Sequence, residues 1–401
     1  MLIVQKYGGT SVGSKDRIKH VAERIINTKK QNNSVVVVVS AMGDETDNLL
    51  NLIDSFSKSP SLREVDMVLS TGEIISSALL SITLNDLGCK AIALSGREAG
   101  IITNLEHTKA KIESIKISNI MKYLDDDYVV IVAGFQGINK NGHITTLGRG
   151  GSDLSAVALA GALASPLCEI YTDVDGVFTT DPRIESSAKK IDVLSYEEML
   201  ELSASGAKIL LTRSVELAKK LNVKVITRNS FNDKEGTLIT NEELVLEKPI
   251  ISGVALDKDQ ARISLVDIID KPGVAARIFN SLADININVD IIVQTVGRDS
   301  TTDIDFTVPK ADLSSCKEVL SNFKNYTSSM EFDENVAKVS IIGIGMKSHS
   351  GIASKAFSAL GKENINIRMI STSEIKISMI IDTKYAELAV RTLHSAFELD
   401  K

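Results

Sequence analysis

Along the first 240 residues, short runs of β-branched side chains alternate with longer stretches whose apolar residues recur at helical spacing. LIVQKY at residues 2–7 is followed by residues 14–29, where Ile18, Val21, Ile25 and Ile26 share a face, and then by SVVVVVSA from Ser34. A repeat near two residues marks a strand and one near 3.6 a helix, so this opening predicts strand, helix, strand. The rhythm continues through a long helical segment at residues 62–87 closed by Gly88, the strands AIALSG and YVVIVAGF, and a helix in SDLSAVALAGALA starting near Leu154. The strand CEIYTD, a helix across YEEMLELSASGAKILL and the strand VKVITR complete it. Near-continuous Val/Ile strands separated by helices predict an α/β fold, a mostly parallel sheet sandwiched by helices. In such sheets ligands sit beyond the carboxyl ends of the strands, which is where the glycine-rich turns of this chain fall.

The polar stretch NDKEGTLITNEELVLEKPI, ending at Pro249, breaks the rhythm and marks a domain boundary. An internal repeat follows it. KPGVAARIFNSLADININVDIIVQT from Lys271 aligns with HSGIASKAFSALGKENINIRMISTS from His349, pairing Gly273 with Gly351, Phe279 with Phe357, Leu282 with Leu360, and Asn286 to Asn288 with Asn364 to Asn366. Each copy reads strand, glycine-led turn, helix, strand, strand, helix, a small ferredoxin-like unit. The expected organisation is one domain at 1–245 and two smaller ones at 250–330 and 331–401, with a strand near 250–256 that pairs with the sheet of the second repeat.

Composition narrows the function. A chain of 401 residues exceeds what one core spans, and 25 Gly against 6 Pro at 43% hydrophobic content excludes fibrous and disordered classes. The net charge of -7, with no block of Lys and Arg, leaves no footprint for nucleic acid or an anionic membrane, so small molecules are the expected ligands. Cys89, Cys168 and Cys316 lie in no zinc-like or disulfide-framework spacing, which fits a reduced, cytoplasmic setting. The N-terminus turns polar after three apolar residues, unlike a signal peptide, and apolar runs such as Val35 to Val39 are shorter than the ~20 residues of a membrane span.

Four segments carry candidate chemistry. KYGGTSVG, Lys6 to Gly13, stands at a strand-to-helix junction, where glycines let backbone N–H groups approach an anion and Lys6 adds charge. Such a turn serves structure as readily as phosphate binding. It is not a GxxxxGK[ST] loop, and the HRD and DFG signatures of protein kinases are absent. TTLGRGGSD, Thr145 to Asp153, sets Arg149 among glycines at a helix start, a guanidinium fork suited to a carboxylate or phosphate. Taken alone, Ser152 or Asp153 reads as a helix N-cap. YTDVDGVFTTDPR, Tyr171 to Arg183, is an acidic, turn-rich loop after a strand, and Thr71-Gly72-Glu73 lies in a helical stretch.

Together KYGGTSVG, VVSAMGDETDNLL, STGE, GFQGIN, TTLGRGGSD, YTDVDGVFTTDPR and GAKIL occur in the order and approximate spacing of the aspartokinases. Over nearly its whole length the chain resembles this branch of the amino-acid kinase superfamily, and the repeat resembles its paired ACT domains. The resemblance implies the amino-acid kinase fold with two tandem ferredoxin-like ACT domains. It implies transfer of the ATP γ-phosphate to the side-chain carboxylate of L-aspartate, the first step toward lysine, threonine and methionine. Carried over by position, Lys6, Tyr7, Gly8, Gly9 and Ser40 contact the ATP phosphates. Thr172, Asp173, Phe178, Thr179, Thr180, Asp181, Pro182 and Arg183 frame the nucleotide. Thr46, Glu73, Arg149, Gly150, Gly151 and Ser152 hold aspartate, Glu73 facing its ammonium group and Arg149 a carboxylate. Lys208 is the second phosphate lysine, and Asp153 orients both lysines. Mg²⁺ is held mainly through the phosphates, with no dedicated protein ligands.

An aspartate carboxylate, with a reference pKa of about 3.9, is ionised at neutral pH, so this chemistry requires no general base and the lack of a candidate His is expected. In the repeats the resemblance implies feedback inhibition by lysine and/or threonine, and homo-oligomers formed through the ACT domains. Asp270, Asn288, Val289, Asp290 and Gln294 are the implied effector contacts. The second repeat has Ser348 and Thr372 where the first has Asp270 and Gln294, and reads as a dimerisation element without effector. Two other readings stand beside this one: a kinase for glutamate or acetylglutamate, which does not carry two ACT units, and a non-catalytic amino-acid sensor, against which intact Lys6, Arg149, Asp153 and Lys208 argue.

Overall fold

The computed structural model describes residues 1–207, 209–242, 250–297 and 301–401. The chain divides into two compact units. One comprises Met1–Val177, Lys190–Ser203 and Lys208–Leu246, the other Phe178–Lys189, Ala204–Ala207 and Glu247–Lys401.

The first unit opens with β1 (Leu2–Tyr7), α1 (Lys15–Lys30), β2 (Ser34–Val39), α2 (Glu45–Phe56), α3 (Leu62–Leu69), α4 (Thr71–Asp86) and β3 (Ala91–Leu94). Next come β4 (Ile101–Thr103), β5 (Ile112–Ile115), α5 (Ser118–Asp125), β6 (Val129–Ala133), β7 (Gln136–Asn139) and β8 (Ile144–Thr146). It closes with α6 (Gly151–Ala162), β9 (Leu167–Thr172), β10 (Val193–Ser195), α7 (Tyr196–Ala204), α8 (Thr212–Leu221), β11 (Lys224–Asn229) and β12 (Thr237–Thr240). Eight strands form one sheet in the order β10-β12-β11-β9-β1-β2-β6-β3, parallel except that β12 runs antiparallel to β11 and carries β10 with it. Because side chains alternate along a strand, Val35, Val37 and Val39 pack with Tyr7, Ile18, Val21, Ile25, Leu80 and Leu84 against α1 and α4, while the intervening Val36 and Val38 lie on the face that α6 covers. This is the expected mostly parallel sheet between helix layers.

Where expectation and structure differ, local chemistry explains it. The helix expected across residues 62–87 is divided at Ser70 into α3 and α4, and the stretch Leu62–Asp86, apolar enough by composition to cross a membrane, is half buried inside the protein. The helix expected across YEEMLELSASGAKILL stops at Ala204, because Gly206 takes φ +112 and a side chain there would lie 2.3 Å from the Leu256 carbonyl oxygen. The helix expected near Leu154 begins at Gly151, where Gly150 at φ 72 supplies the left-handed entry and neither Ser152 nor Asp153 caps it. A four-stranded sheet, β5-β4-β7-β8, was not foreseen, since its three- and four-residue strands are too short for a clear period.

The second unit holds β13 (Gly253–Ile269), α9 (Val274–Ala283), β14 (Ile292–Val296), β15 (Thr301–Pro309), α10 (Leu313–Leu320), β16 (Ser329–Ile342), α11 (Ile352–Lys362), β17 (Ile367–Thr372), β18 (Lys376–Asp382) and α12 (Ala386–Ala396). Both repeats contribute to one antiparallel sheet, β14-β15-β13-β16-β18-β17. β13 pairs with β15 from Gln260 to Ile269 and with β16 along most of its length, Gly253 facing Ile342 and Val266 facing Ser329. Each repeat keeps its own core, the first around Phe306 and Leu282 and the second around Leu360 and Leu393. Phe306 is fully buried and meets Phe279 edge to face at 5.4 Å. Phe306→Ala should destabilise the second unit by about 3–5 kcal/mol, read by calorimetry as a lowered transition for that unit.

Candidate active site

Lys6 and Tyr7 end β1 and, as strand neighbours, point to opposite faces. Lys6 is 9% exposed, and its Nζ lies 2.6 Å from Asp153 Oδ1 in the first turn of α6. A carboxylate this close compensates the ammonium for lost hydration, and an acid in the first turn also meets the positive end of the helix dipole. The Lys6 Nζ is 3.6 Å from where a side chain at Gly8 would begin, so the glycine leaves the ammonium uncovered. The turn itself is pinned on two sides. The Gly8 N–H donates to the Tyr171 carbonyl at 3.1 Å, and a side chain at Gly9 would stand 2.8 Å from the Ala41 carbonyl oxygen, while the Gly43 N–H donates to the Gly9 carbonyl at 3.0 Å. The Ser40 N–H donates to the Tyr7 carbonyl at 3.1 Å, and Ser76 Oγ donates to the Ser40 carbonyl at 2.7 Å.

Tyr7 is corrected by this geometry. Its ring is fully buried and stacks on Tyr171 at 4.7 Å, and its hydroxyl donates to Gln5 Oε1 at 3.2 Å, within a buried network in which Gln5 Nε2 donates to Glu169 at 2.8 Å. The side chain therefore builds the core on the face away from Lys6, and only its main chain lies at the glycine turn.

Glu73 stands in the first turn of α4, 3% exposed. Its Oε1 accepts from the Ala41 N–H at 3.1 Å, and its Oε2 is buried with no hydrogen-bond partner among the described residues. Burial pushes the carboxyl up to about 7. Arg149 is exposed, flanked by Gly148 at φ 82 and Gly150 at φ 72, while Ser152 is buried against Gly134. Gly151 is required by packing, since a side chain there would meet Leu147 Cβ at 2.8 Å. Thr46 occupies the first turn of α2, partly exposed. Among the described residues Lys6 and Asp153 make direct contact, whereas Thr46 and Arg149 make none with either.

Two carboxylates escaped sequence reasoning. Asp66, fully buried, accepts from His107 Nδ1 at 2.6 Å, from the Thr108 N–H at 3.1 Å and from Thr146 Oγ1 at 2.5 Å. It anchors β8 three residues before Arg149, while Arg213 donates to the Leu147 carbonyl at 2.9 Å and to the Ala110 carbonyl at 3.1 Å. The available signal was an acid placed beside Val65 on the apolar face of a helix. Asp175 accepts from Asn229 at 2.7 Å and Asn232 at 2.8 Å and pairs with Lys234 at 2.5 Å. Lys234 first, with both amides, holds its carboxyl down at about 2 and fixes the YTDVDG loop. In that loop Thr172 Oγ1 donates to the exposed Asp173 at 3.1 Å.

Phe178, Thr179, Thr180, Asp181, Pro182 and Arg183 belong to the second unit. Thr179 is corrected: it is buried, its Oγ1 bonds His394 Nε2 at 2.9 Å and accepts the Lys189 N–H at 3.0 Å, and its carbonyl accepts the Val254 N–H at 2.7 Å. Its polar groups are spent inside its own unit. Asp181 receives Arg183 Nε and Nη2, at 3.0 and 2.7 Å, which lowers its carboxyl below the usual range. Lys208 lies outside the described residues.

In the first repeat Asp270 and Gln294 line one cavity of about 260 Å³ with Gly273, Thr302 and Ile304. Asn288 is exposed, and Val289 packs on the core of that repeat. Asp290 is corrected, because its carboxylate is already engaged by the ammonium of Lys338. Among the described residues no three His, Cys, Asp or Glu side chains converge on a metal-sized site.

The amino acid kinase family model matches residues 1–229, and an ACT domain model matches 263–322 and 339–397. The aspartokinase of Helicobacter pylori is 60% identical over 405 residues, covering all of both chains. The crystal structure of E. coli aspartokinase III in complex with aspartate and ADP, described as the R-state, superposes with a TM-score of 0.83 at 26% identity, covering 99% of each chain. The same enzyme in complex with lysine and aspartate, the T-state, superposes at 0.77 over the same coverage. The chain therefore belongs to the amino acid kinase family, among the aspartokinases that carry ACT regulatory domains.

Proposed function

We propose that the protein uses ATP to phosphorylate the side-chain carboxylate of L-aspartate, giving 4-phospho-L-aspartate, and that lysine and/or threonine acting through the ACT repeats inhibits it. The observation that carries the substrate is Glu73. A buried carboxylate with one unpartnered oxygen is costly, and an arriving α-ammonium group supplies the missing charge and hydrogen bond. Arg149 offers its fork to a substrate carboxylate, with Ser152 and the Gly150 N–H beside it in sequence and Thr46 at the start of another helix.

The attacking carboxylate is already ionised, so the protein's task is to bring two anions together and stabilise the transferring group. Lys6, held by Asp153, points its ammonium at the glycine turn, where Gly8, Gly9 and Ser40 border the phosphate site. Lys208 supplies the second ammonium, and Thr172 and Asp173 border the nucleotide. Mg²⁺, which binds largely through phosphates and water, would neutralise phosphate charge beside these lysines. In this reading residues 1–245 are catalytic and 250–330 and 331–401 regulatory, the protein is a cytoplasmic homo-oligomer joined through its ACT domains, and the reaction opens the route to lysine, threonine and methionine. The cavity that joins Asp270 to Gln294 is the effector site, its polar rim suited to the ammonium and carboxylate of an amino acid, and the lysine complex of the E. coli relative supports lysine as an effector.

Hydroxamate assays with aspartate, glutamate and acetylglutamate in separate reactions should show turnover with aspartate alone; turnover with one of the others, or with none, refutes the substrate or the activity. Arg149→Lys keeps charge and loses the fork, so the KM for aspartate should rise roughly 10- to 100-fold while that for ATP stays within a factor of two. An equal rise in both would move Arg149 to the nucleotide.

A third expectation concerns pH. Glu73 must be ionised to receive ammonium, so the KM for aspartate should fall as pH rises from 6 to 8, and Glu73→Gln should flatten that profile at a raised KM. Without ligand the sign reverses for stability. The raised folded-state pKa favours the protonated protein at low pH, and that contribution is lost as pH rises through about 7. Thermal melts should thus show Glu73→Gln gaining on the parent between pH 5 and 8. A parent KM independent of pH would remove Glu73 from the ammonium site.

A further inference from the structure

Lys338 lies within β16 at 2% exposure, inside the antiparallel sheet of the second unit. The chemistry proposed above does not use it. An ammonium so deeply buried needs partners for its charge and its N–H groups, and it has two. Its Nζ makes an ion pair with the Asp290 carboxylate and donates to the Ala204 carbonyl oxygen at 3.4 Å.

The two partners come from distant parts of the sequence. Asp290 ends the ININVD segment of the first repeat, its N–H donating to the Thr307 carbonyl at 3.0 Å, four positions before the Gln294 that lines the Asp270 cavity. Ala204 opens the turn Ala204–Ala207, which belongs to the second unit and leads in sequence straight into Lys208. The turn is seated on the sheet at the same place. Gly206 abuts the Leu256 carbonyl and Asp257 Cα, and Asp257 is the register partner of Lys338, just before the β13–β16 register shifts at Asp257/Gln260.

We propose that Lys338 is a positioning residue that couples the effector cavity of the first repeat to the turn Ala204–Ala207, which precedes Lys208 in sequence, through the chain Asp290, Lys338, Ala204. The inference rests on the kinase and effector reading given above and names its route of regulation. One ammonium serves both a carboxylate and a main-chain carbonyl, so a shift of the 288–294 segment that draws Asp290 away either carries Lys338 off Ala204 or leaves a buried charge unpaired. The second arrangement is strongly disfavoured, so movement at one end is transmitted to the other.

The test uses the full-length enzyme and Lys338→Met, which keeps the length of the stem and removes the ammonium. Lysine and threonine are titrated against aspartate phosphorylation, and their binding is followed by calorimetry without substrates. The expected result is binding close to that of the parent with an inhibition midpoint raised roughly 5- to 150-fold, the range of ordinary coupling between sites. Asp290→Asn, which preserves shape and removes the carboxylate charge, should move the midpoint in the same direction, and it decides the question alone if Lys338→Met does not fold. An unchanged midpoint in a folded variant, with only a lowered melting temperature, overturns the proposal and leaves Lys338 a structural residue. Loss of effector binding together with inhibition also overturns it, because these residues would then form the effector site. A parent that phosphorylates aspartate but responds to neither amino acid refutes the effector reading, and this inference with it. A parent that phosphorylates nothing refutes the activity.

Discussion

A lysine pulled out of water at the end of a central strand loses much of its hydration, and the first unit is arranged to compensate for that loss. β1 suits this, since parallel β9 and β2 flank it on both sides and bury Lys6 while its place near the strand's carboxyl end leaves the tip at the edge of the sheet. The helix that packs over it must begin with an acid in its first turn, and α6 supplies Asp153 at 2.6 Å. For α6 to start there, the chain has to turn sharply just before it, which Gly148 and Gly150 permit by adopting positive φ. Arg149 lies between them. The placement of a buried ammonium and of an exposed guanidinium thus follows from one electrostatic requirement.

The same sheet separates two kinds of polar chemistry. On the Lys6 face a charged pair lies beside glycines that a ligand can approach. On the other face Gln5, Tyr7, Glu169 and Tyr171 form a closed network, with Arg228 3.3 Å from Glu169, and little is left for a ligand. Strand alternation alone assigns residues to one role or the other, which is how neighbours as close as Lys6 and Tyr7 come to differ.

Much of the fold was legible because its signals are strong: valine runs long enough to give a period, helices of twelve or more residues, and a repeat with constant spacing. The small sheet from β4 to β8 was not, because strands of three and four residues carry too few positions to show alternation. The end of α7 was missed because the composition of SASGAKILL still favours helix, and only the carbonyl of Leu256, far away in sequence, makes Gly206 a stop. Among site residues, glycines and lysines next to strands could be read from the chain. The engagement of Thr179 by His394, and of Asp290 by Lys338, could not, since each depends on a partner more than forty positions away that no local pattern announces.

β13 is a single strand of 17 residues, and most of it is paired with β16 of the other repeat. The two repeats still carry the same motif at the same spacing, yet neither owns a complete edge of its own. A chain severed between them would expose an unpaired row of amides and carbonyls on each fragment, an invitation to aggregate. The repeats are therefore two cores on one sheet, and the smallest piece that leaves no inner edge bare is the pair.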